Sequence, residues 1–117
     1  MDNTTAIATL GALAQTTRLE TFKLLVRNEP DGVPAGELAR LLGVPQNTMS
    51  AHLATLSRAG LVRSERQSRS IIYRADLGGL RELTLFLLKD CCGGAAELCA
   101  PLIAELQPCC GPEVKLS

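Results

Sequence analysis

Apolar positions recur at helical spacing along most of this chain and change to strand-like alternation in one stretch only. An Ala/Leu-rich segment from about Thr5 to Ala14 reads as a short first helix. Thr16 or Thr17 is suited to cap a second helix, which carries Leu19, Phe22, Leu25 and Val26 and ends near Asn28. Glu29-Pro30-Asp31-Gly32 has the residue types of a loop. Pro34 fits a first helical position, and Leu38, Ala39, Leu41 and Leu42 then give an inward face closed by Gly43. Only Val44-Pro45 separates this helix from the next, whose apolar face is Met49, Leu53 and Leu56, with Gln46, Asn47, Ser50, Ala51 and Arg58 on other faces. That helix stops at Ala59-Gly60. From Leu61 to Arg74 the pattern is that of two strands around a polar Gln67-Ser68-Arg69 turn. A final strong helix is expected from about Leu77 to Asp90, ended by Gly93-Gly94, and a weaker one around Ala95 to Leu106, interrupted at Pro101.

Two short helices joined by a tight turn at Gly43, followed by a basic hairpin, describe a winged helix-turn-helix: mainly α with one β-hairpin. With 117 residues the chain has room for one main core. Residues 1–92 are expected to form the winged domain and 93–117 a cysteine-containing tail. Phe22, Tyr73 and Phe86 are the only aromatic residues, so the core must be built from Leu, Ala, Ile and Val. The last strong helix carries Leu77, Leu80, Leu83, Leu85, Phe86, Leu87 and Leu88 on more than one face. A single small core cannot cover them all, which points to a homodimer.

Net charge is zero, but its distribution is uneven. Between Gln46 and Tyr73 stand Arg58, Arg63, Arg66 and Arg69 against the single acid Glu65. From Asp76 onward six acids face Arg81, Lys89 and Lys115. A basic centre with an acidic tail suits a chain that sets its middle on DNA.

The run Leu41-Leu42-Gly43-Val44-Pro45-Gln46-Asn47-Thr48-Met49-Ser50-Ala51-His52-Leu53-Ala54-Thr55-Leu56 resembles the recognition-helix signature of the ArsR/SmtB family of metal-responsive repressors. Ala59-Gly60-Leu61-Val62-Arg63, the wing ending Ile72-Tyr73-Arg74, and the upstream Leu13-Ala14-Gln15-Thr16-Thr17-Arg18-Leu19 resemble the same family, in the same order. The resemblance runs from about Ile7 to Lys89, and Pro45 stands where the family often has a capping Ser or Thr. It implies a dimeric repressor on double-stranded operator DNA. The side chains agree with that reading. Gln46 and Asn47, in the first turn, have amides able to pair bidentately with adenine. Thr48, Ser50 and His52 are further candidates for bases or phosphates, and Arg66 and Arg69 flank the hairpin tip, where they can follow phosphates or enter the minor groove.

All five cysteines, Cys91, Cys92, Cys99, Cys109 and Cys110, lie in the last 27 residues. The family's familiar cysteine pair is missing from Pro34-Ala35-Gly36-Glu37-Leu38-Ala39-Arg40, and its Asp/His/His/Glu zinc site is missing from Leu77 to Lys89. What remains, Cys91-Cys92 with Cys99 after a glycine pair, resembles a subgroup of arsenic repressors that bind As(III) through adjacent cysteines and a third some residues later. The spacing is physically reasonable, because adjacent side chains on a regular helix diverge by about 100° and a helix end lets both thiols meet one ion. As(III) takes three thiolates in a pyramid, and Sb(III) fits the same set. Zn²⁺ or Cd²⁺ on three thiolates would want a fourth ligand, which Asp90, Glu97 or the auxiliary pair Cys109-Cys110 can supply.

The sequence therefore predicts a non-enzymatic repressor that leaves its operator when As(III) binds. A Zn/Cd-responsive repressor is the alternative; a thiol redox protein and a metal carrier are weaker readings. The redox reading lacks a Cys-x-x-Cys motif, and the carrier reading leaves the basic helix and wing without a purpose. With no basic-then-apolar leader pattern and no apolar run near the roughly 20 residues a bilayer needs, the expected setting is the cytoplasm, away from membranes and with thiols reduced.

Overall fold

A computed structural model describes residues 1–92, with side chains as far as Leu88. The expected Gly93-Gly94 break, the Ala95–Leu106 helix, Cys99, Cys109 and Cys110 lie outside the described residues. The order of elements is α1 (Asn3–Leu13), α2 (Thr16–Arg27), β1 (Val33–Pro34), α3 (Ala35–Leu42), α4 (Gln46–Arg58), β2 (Val62–Gln67), β3 (Ser70–Ala75) and α5 (Leu77–Cys92). This is the winged helix-turn-helix expected from the sequence. The chain divides into a unit Met1–Leu83, which holds that whole domain, and a second from Thr84 onward. The division falls inside α5, earlier than the boundary drawn from the glycine pair.

Each helix start has its own solution for the backbone N–H groups that lack an intrahelical partner. At α1 the Asp2 carboxylate accepts from Thr5 N–H at 2.8 Å, which holds that carboxyl below its usual range. At α2 the cap is Gln15, whose Oε1 accepts from Arg18 N–H at 2.8 Å, rather than Thr16 or Thr17, which are the first helical residues. Glutamine is an uncommon cap, and its longer side chain closes the turn from one residue earlier. Pro34 likewise sits one step before its expected place. It is the extended N-cap of α3 and, with Val33, pairs antiparallel with β3 as an edge strand, where its missing N–H costs nothing.

The sheet order is β1-β3-β2, and the hairpin register runs from Val62 opposite Ala75 to Gln67 opposite Ser70. Its turn is made with Ser68 at φ 58°, so a non-glycine residue takes the left-handed conformation there. Val62 and Ala75 are buried at the base of the hairpin, and the strands run out from the core to an exposed tip.

Leu25, Leu38, Met49, Leu53, Leu56 and Leu61 are fully buried and form the centre of the core, with Phe22, Val33 and Ala39 around them. Burial stabilises each large aliphatic side chain by about 1.5–3 kcal/mol. The buried hydroxyl of Thr21 is satisfied by Thr17 O at 2.7 Å and lies 3.8 Å from the Met49 sulfur, joining α2 to α4. On α1, Ala6, Thr9 and Ala12 turn inward, and Thr9 Oγ1 donates to Thr5 O and lies 3.3 Å from Ala59 O. The opposite side of α1 leaves Ile7 68% exposed and Leu10 43% exposed, and Leu77 at the start of α5 is 45% exposed. All three leave apolar surface open to solvent.

Candidate nucleic-acid interface

The turn between α3 and α4 fixes the angle of the helix-turn-helix. Gly43 caps α3 at φ 66°, a left-handed conformation that costs other residues about 1–2 kcal/mol. Its N–H donates to Arg40 O at 3.3 Å and Val44 N–H to Ala39 O at 3.1 Å, so two terminal carbonyls of α3 are satisfied within the turn. On the outer side of α3, Glu37 pairs with Arg40 one turn on. The guanidinium holds the Glu37 carboxyl below its usual range, and the carboxylate raises Arg40 in turn.

Helix α4 begins at Gln46 although Pro45 offers no side-chain cap. Asn47 takes over that role from inside the helix, its Oδ1 accepting Thr48 N–H at 3.0 Å. The helix divides cleanly by face. Met49, Leu53 and Leu56 are fully buried, while Asn47, Thr48, Ser50, Ala51, Ala54 and Arg58 are exposed.

At about 100° per residue, Asn47, Ala51, Ala54 and Arg58 share the outermost stripe, with Thr48 and Ser50 on its two sides. The stripe ends on Arg58, in the last turn of α4. The sequence pattern alone places Arg58 merely outside the core; stepping by four from Asn47 to Ala51 and then by seven to Arg58 puts it on the same exposed stripe.

Gln46 and His52 are placed differently from that stripe. The Gln46 side chain turns back towards α3, its Nε2 lying 2.9 Å from where a Cβ on Gly36 would stand. His52 is half-buried on the flank of α4 facing α2, with Nδ1 at 3.3 Å from Arg18 Nη1. Nothing in the local pattern points to that partner, which is 34 positions away.

In the wing, Arg66 lies opposite Ile71 in the register, and Arg69 follows Ser68 in the turn; both are exposed. Arg74 is instead held at the hairpin base by Glu65 and by donating from Nε to Pro30 O at 2.9 Å. Among the described residues the ion pairs are Lys23–Glu20, Arg40–Glu37 and Arg74–Glu65, so from α4 through the hairpin turn Arg58, Arg63, Arg66 and Arg69 all stand without an acid partner. Four unpaired guanidiniums on α4, β2 and the hairpin turn make a cationic surface suited to phosphates.

Of the cysteines, only the first pair falls within the described residues. Helix α5 continues to Cys92, two residues beyond its expected end, so Cys91 and Cys92 are its last two residues. Among the described residues no group of three His, Cys, Asp or Glu could hold a metal ion. Nor is any helix among them long and apolar enough to cross a membrane.

A family model described as a helix-turn-helix domain matches residues 13–65, from the end of α1 into β2. The transcriptional activator HlyU of Vibrio cholerae is 35% identical over 68 residues, 58% of this chain and 60% of that protein. The aligned stretch thus spans 60% or less of the length of the first curated relatives. Among solved structures, an ArsR-like transcriptional regulator from Rhodococcus sp. RHA1 superposes with a TM-score of 0.69 at 29% identity, covering 83% of this chain and 89% of that one. A crystal structure described as a possible transcriptional regulator for arsenical resistance gives a TM-score of 0.59 at 30% identity, covering 68% of this chain and 79% of that one. A basic winged helix-turn-helix with this recognition helix, and relatives of this kind over the same residues, lead to one assignment: the chain belongs to the ArsR/SmtB family of transcriptional regulators.

Proposed function

We propose that the chain is a homodimeric repressor that holds double-stranded operator DNA through α4 and the wing, and releases it when trivalent arsenic binds Cys91, Cys92 and Cys99. The observation that carries the DNA half is the division of α4 into a fully buried row and an exposed face that runs from Asn47 to Arg58, which has no acid partner among the described residues. Asn47, Thr48 and Ser50 are the candidates for base edges, with Gln46 and His52 at the flanks. Arg58, Arg66 and Arg69 are the candidates for phosphates. Dimerisation is supported by the exposed Ile7, Leu10 and Leu77, whose apolar side chains a second copy would remove from water. Two-fold symmetry would then set the two copies of α4 about 34–36 Å apart, one turn of DNA.

The arsenic half rests on the cysteines. All five fall after residue 90, and the first two close α5. Three thiolates neutralise As(III) and complete its pyramid, and Sb(III) has the same requirement. A similar chain is described as a possible regulator for arsenical resistance, in keeping with this effector. Release requires the effector to prefer the DNA-free state, and a coupling of about 1–3 kcal/mol lowers operator affinity about 5- to 150-fold. The reading belongs to a reducing cytoplasm, where thiols stay free. A mobility shift on the DNA upstream of the protein's own gene, titrated with As(III), Sb(III), Cd²⁺ and Zn²⁺, tests it. Release by As(III) and Sb(III) supports it. Release by Zn²⁺ or Cd²⁺ alone would make the site a four-ligand one, and failure to bind that DNA would remove the repressor reading.

A further inference from the structure

We infer that Arg18 is a positioning residue for DNA binding: it joins the C-terminal end of α1 to His52 on the recognition helix and sets that imidazole to donate to a phosphate. The inference rests on the DNA-binding reading above. Arg18 is the third residue of α2 and is half-buried. Its Nε donates to Ala12 O at 2.6 Å, and its Nη2 reaches Gly11 O at 3.5 Å. These are carbonyls of the last turn of α1, at the negative end of the helix dipole; Gly11 O also accepts the Ala14 N–H at 3.1 Å, so Ala12 O is the carbonyl that Arg18 chiefly serves. A planar guanidinium suits that end, because one rigid fork can serve two carbonyls and still present a further N–H. The remaining nitrogen, Nη1, lies 3.3 Å from His52 Nδ1.

The chemistry of that last contact is one-sided. A guanidinium carries donors only, so His52 Nδ1 must present its lone pair. In the neutral ring the proton then sits on Nε2. Among the described residues nothing accepts from Nε2, so the ring offers one free N–H. His52 stands between the buried row of α4 and exposed Thr48, one turn earlier on the same flank. A single N–H donor at the rim of a DNA-facing helix matches a phosphate oxygen, the commonest acceptor on a duplex. One side chain thus ties the end of α1 to the recognition helix.

Two measurements on the full chain test the inference. His52 is the only histidine, so its ring nitrogens can be assigned without ambiguity in a long-range ¹H–¹⁵N spectrum of DNA-free protein. The expected result is an unprotonated Nδ1 and a protonated Nε2, with the Nδ1 resonance shifted in Arg18→Met. A protonated Nδ1, or an Nδ1 resonance unmoved by that substitution, overturns the inference, and the first of these needs no variant.

The second measurement is binding to a fluorescein-labelled mixed-sequence duplex at low salt, since a phosphate contact does not depend on sequence. Arg18→Met and His52→Ala should each weaken binding about tenfold, as expected for removing a hydrogen bond to a charged group. Their combination should also cost about tenfold, because both act through one imidazole. Arg18→Lys should restore only part of the loss. Multiplication to about a hundredfold in the double variant would make Arg18 a merely structural residue and overturn the inference alone. A wild-type chain without duplex affinity would defeat the DNA-binding reading and this inference together.

Discussion

The recognition helix and the cysteine end of the chain carry chemistry in opposite ways. In α4 the reactive surface is a by-product of burial: Met49, Leu53 and Leu56 are fixed in the core, and whatever lies opposite them must face outward. Function there is inseparable from packing. At the end of α5, two cysteines occupy neighbouring positions that a straight helix would turn about 100° apart, and their proposed partner Cys99 follows a glycine pair. Function there depends on donor atoms rather than on a core. The lesson is that recognition in this chain should fail when the fold is damaged, whereas sensing should fail with the fold intact.

The predictions break that contrast in order of size. Leu53→Ala removes a fully buried side chain beneath the recognition stripe and should cost about 2–5 kcal/mol. Urea unfolding would read the loss, and DNA affinity should fall with it; a stability near wild type would mean that α4 is not held by the core as described. Gln46→Ala and Asn47→Ala should each weaken operator binding by about 1–3 kcal/mol relative to mixed-sequence DNA. The asymmetry between them is informative. Asn47 also caps its own helix through Thr48 N–H, so Asn47→Ala should lower helicity by circular dichroism as well, while Gln46→Ala should not.

Removing the Arg66 and Arg69 charges should reduce the slope of log affinity against log salt by about 0.9 for each phosphate they neutralise. An unchanged slope would assign both to solubility. The smallest effect concerns Glu37. Its folded carboxyl is held below the unfolded value by Arg40, so the pair's contribution is present above the ordinary carboxylate range and is lost as pH falls through the lowered folded value. The pair lies at the surface in contact with solvent, so Glu37→Gln should remove a slight acid-side dependence of the melting temperature and leave neutral-pH stability nearly unchanged.

How much of this was legible follows from how local each feature is. The helical period of Met49, Leu53 and Leu56, the turn at Gly43 and the two strand segments around the Gln67-Ser68-Arg69 turn are all written within a few residues, and the structure follows them, although β2 is buried only at Val62 rather than in alternation. Val33-Pro34 as β1 was not legible, because two residues carry no alternation and only the distant β3 makes them a strand. Gln15 as a cap was hidden by two threonines with better intrinsic preference. The placement of the exposed Gln46 amide beside Gly36 and the hold of Arg18 on His52 both depend on residues of other helices. Long-range partners of this kind leave no periodic trace. The cysteine site is the reverse case: its donors were visible from composition alone, while Cys99, Cys109 and Cys110 lie outside the described residues.

The central claim is that operator binding and arsenic sensing use separable parts of one chain. Fluorescence anisotropy on a labelled duplex from the protein's own upstream region, under reducing conditions and across a range of As(III), tests it most directly. Wild type and the Cys109→Ser/Cys110→Ser variant should bind and then release as As(III) rises. Cys91→Ser, Cys92→Ser and Cys99→Ser should bind with wild-type affinity and stay bound, because removing one thiolate leaves the pyramid incomplete. Full release in all three single variants would contradict the account.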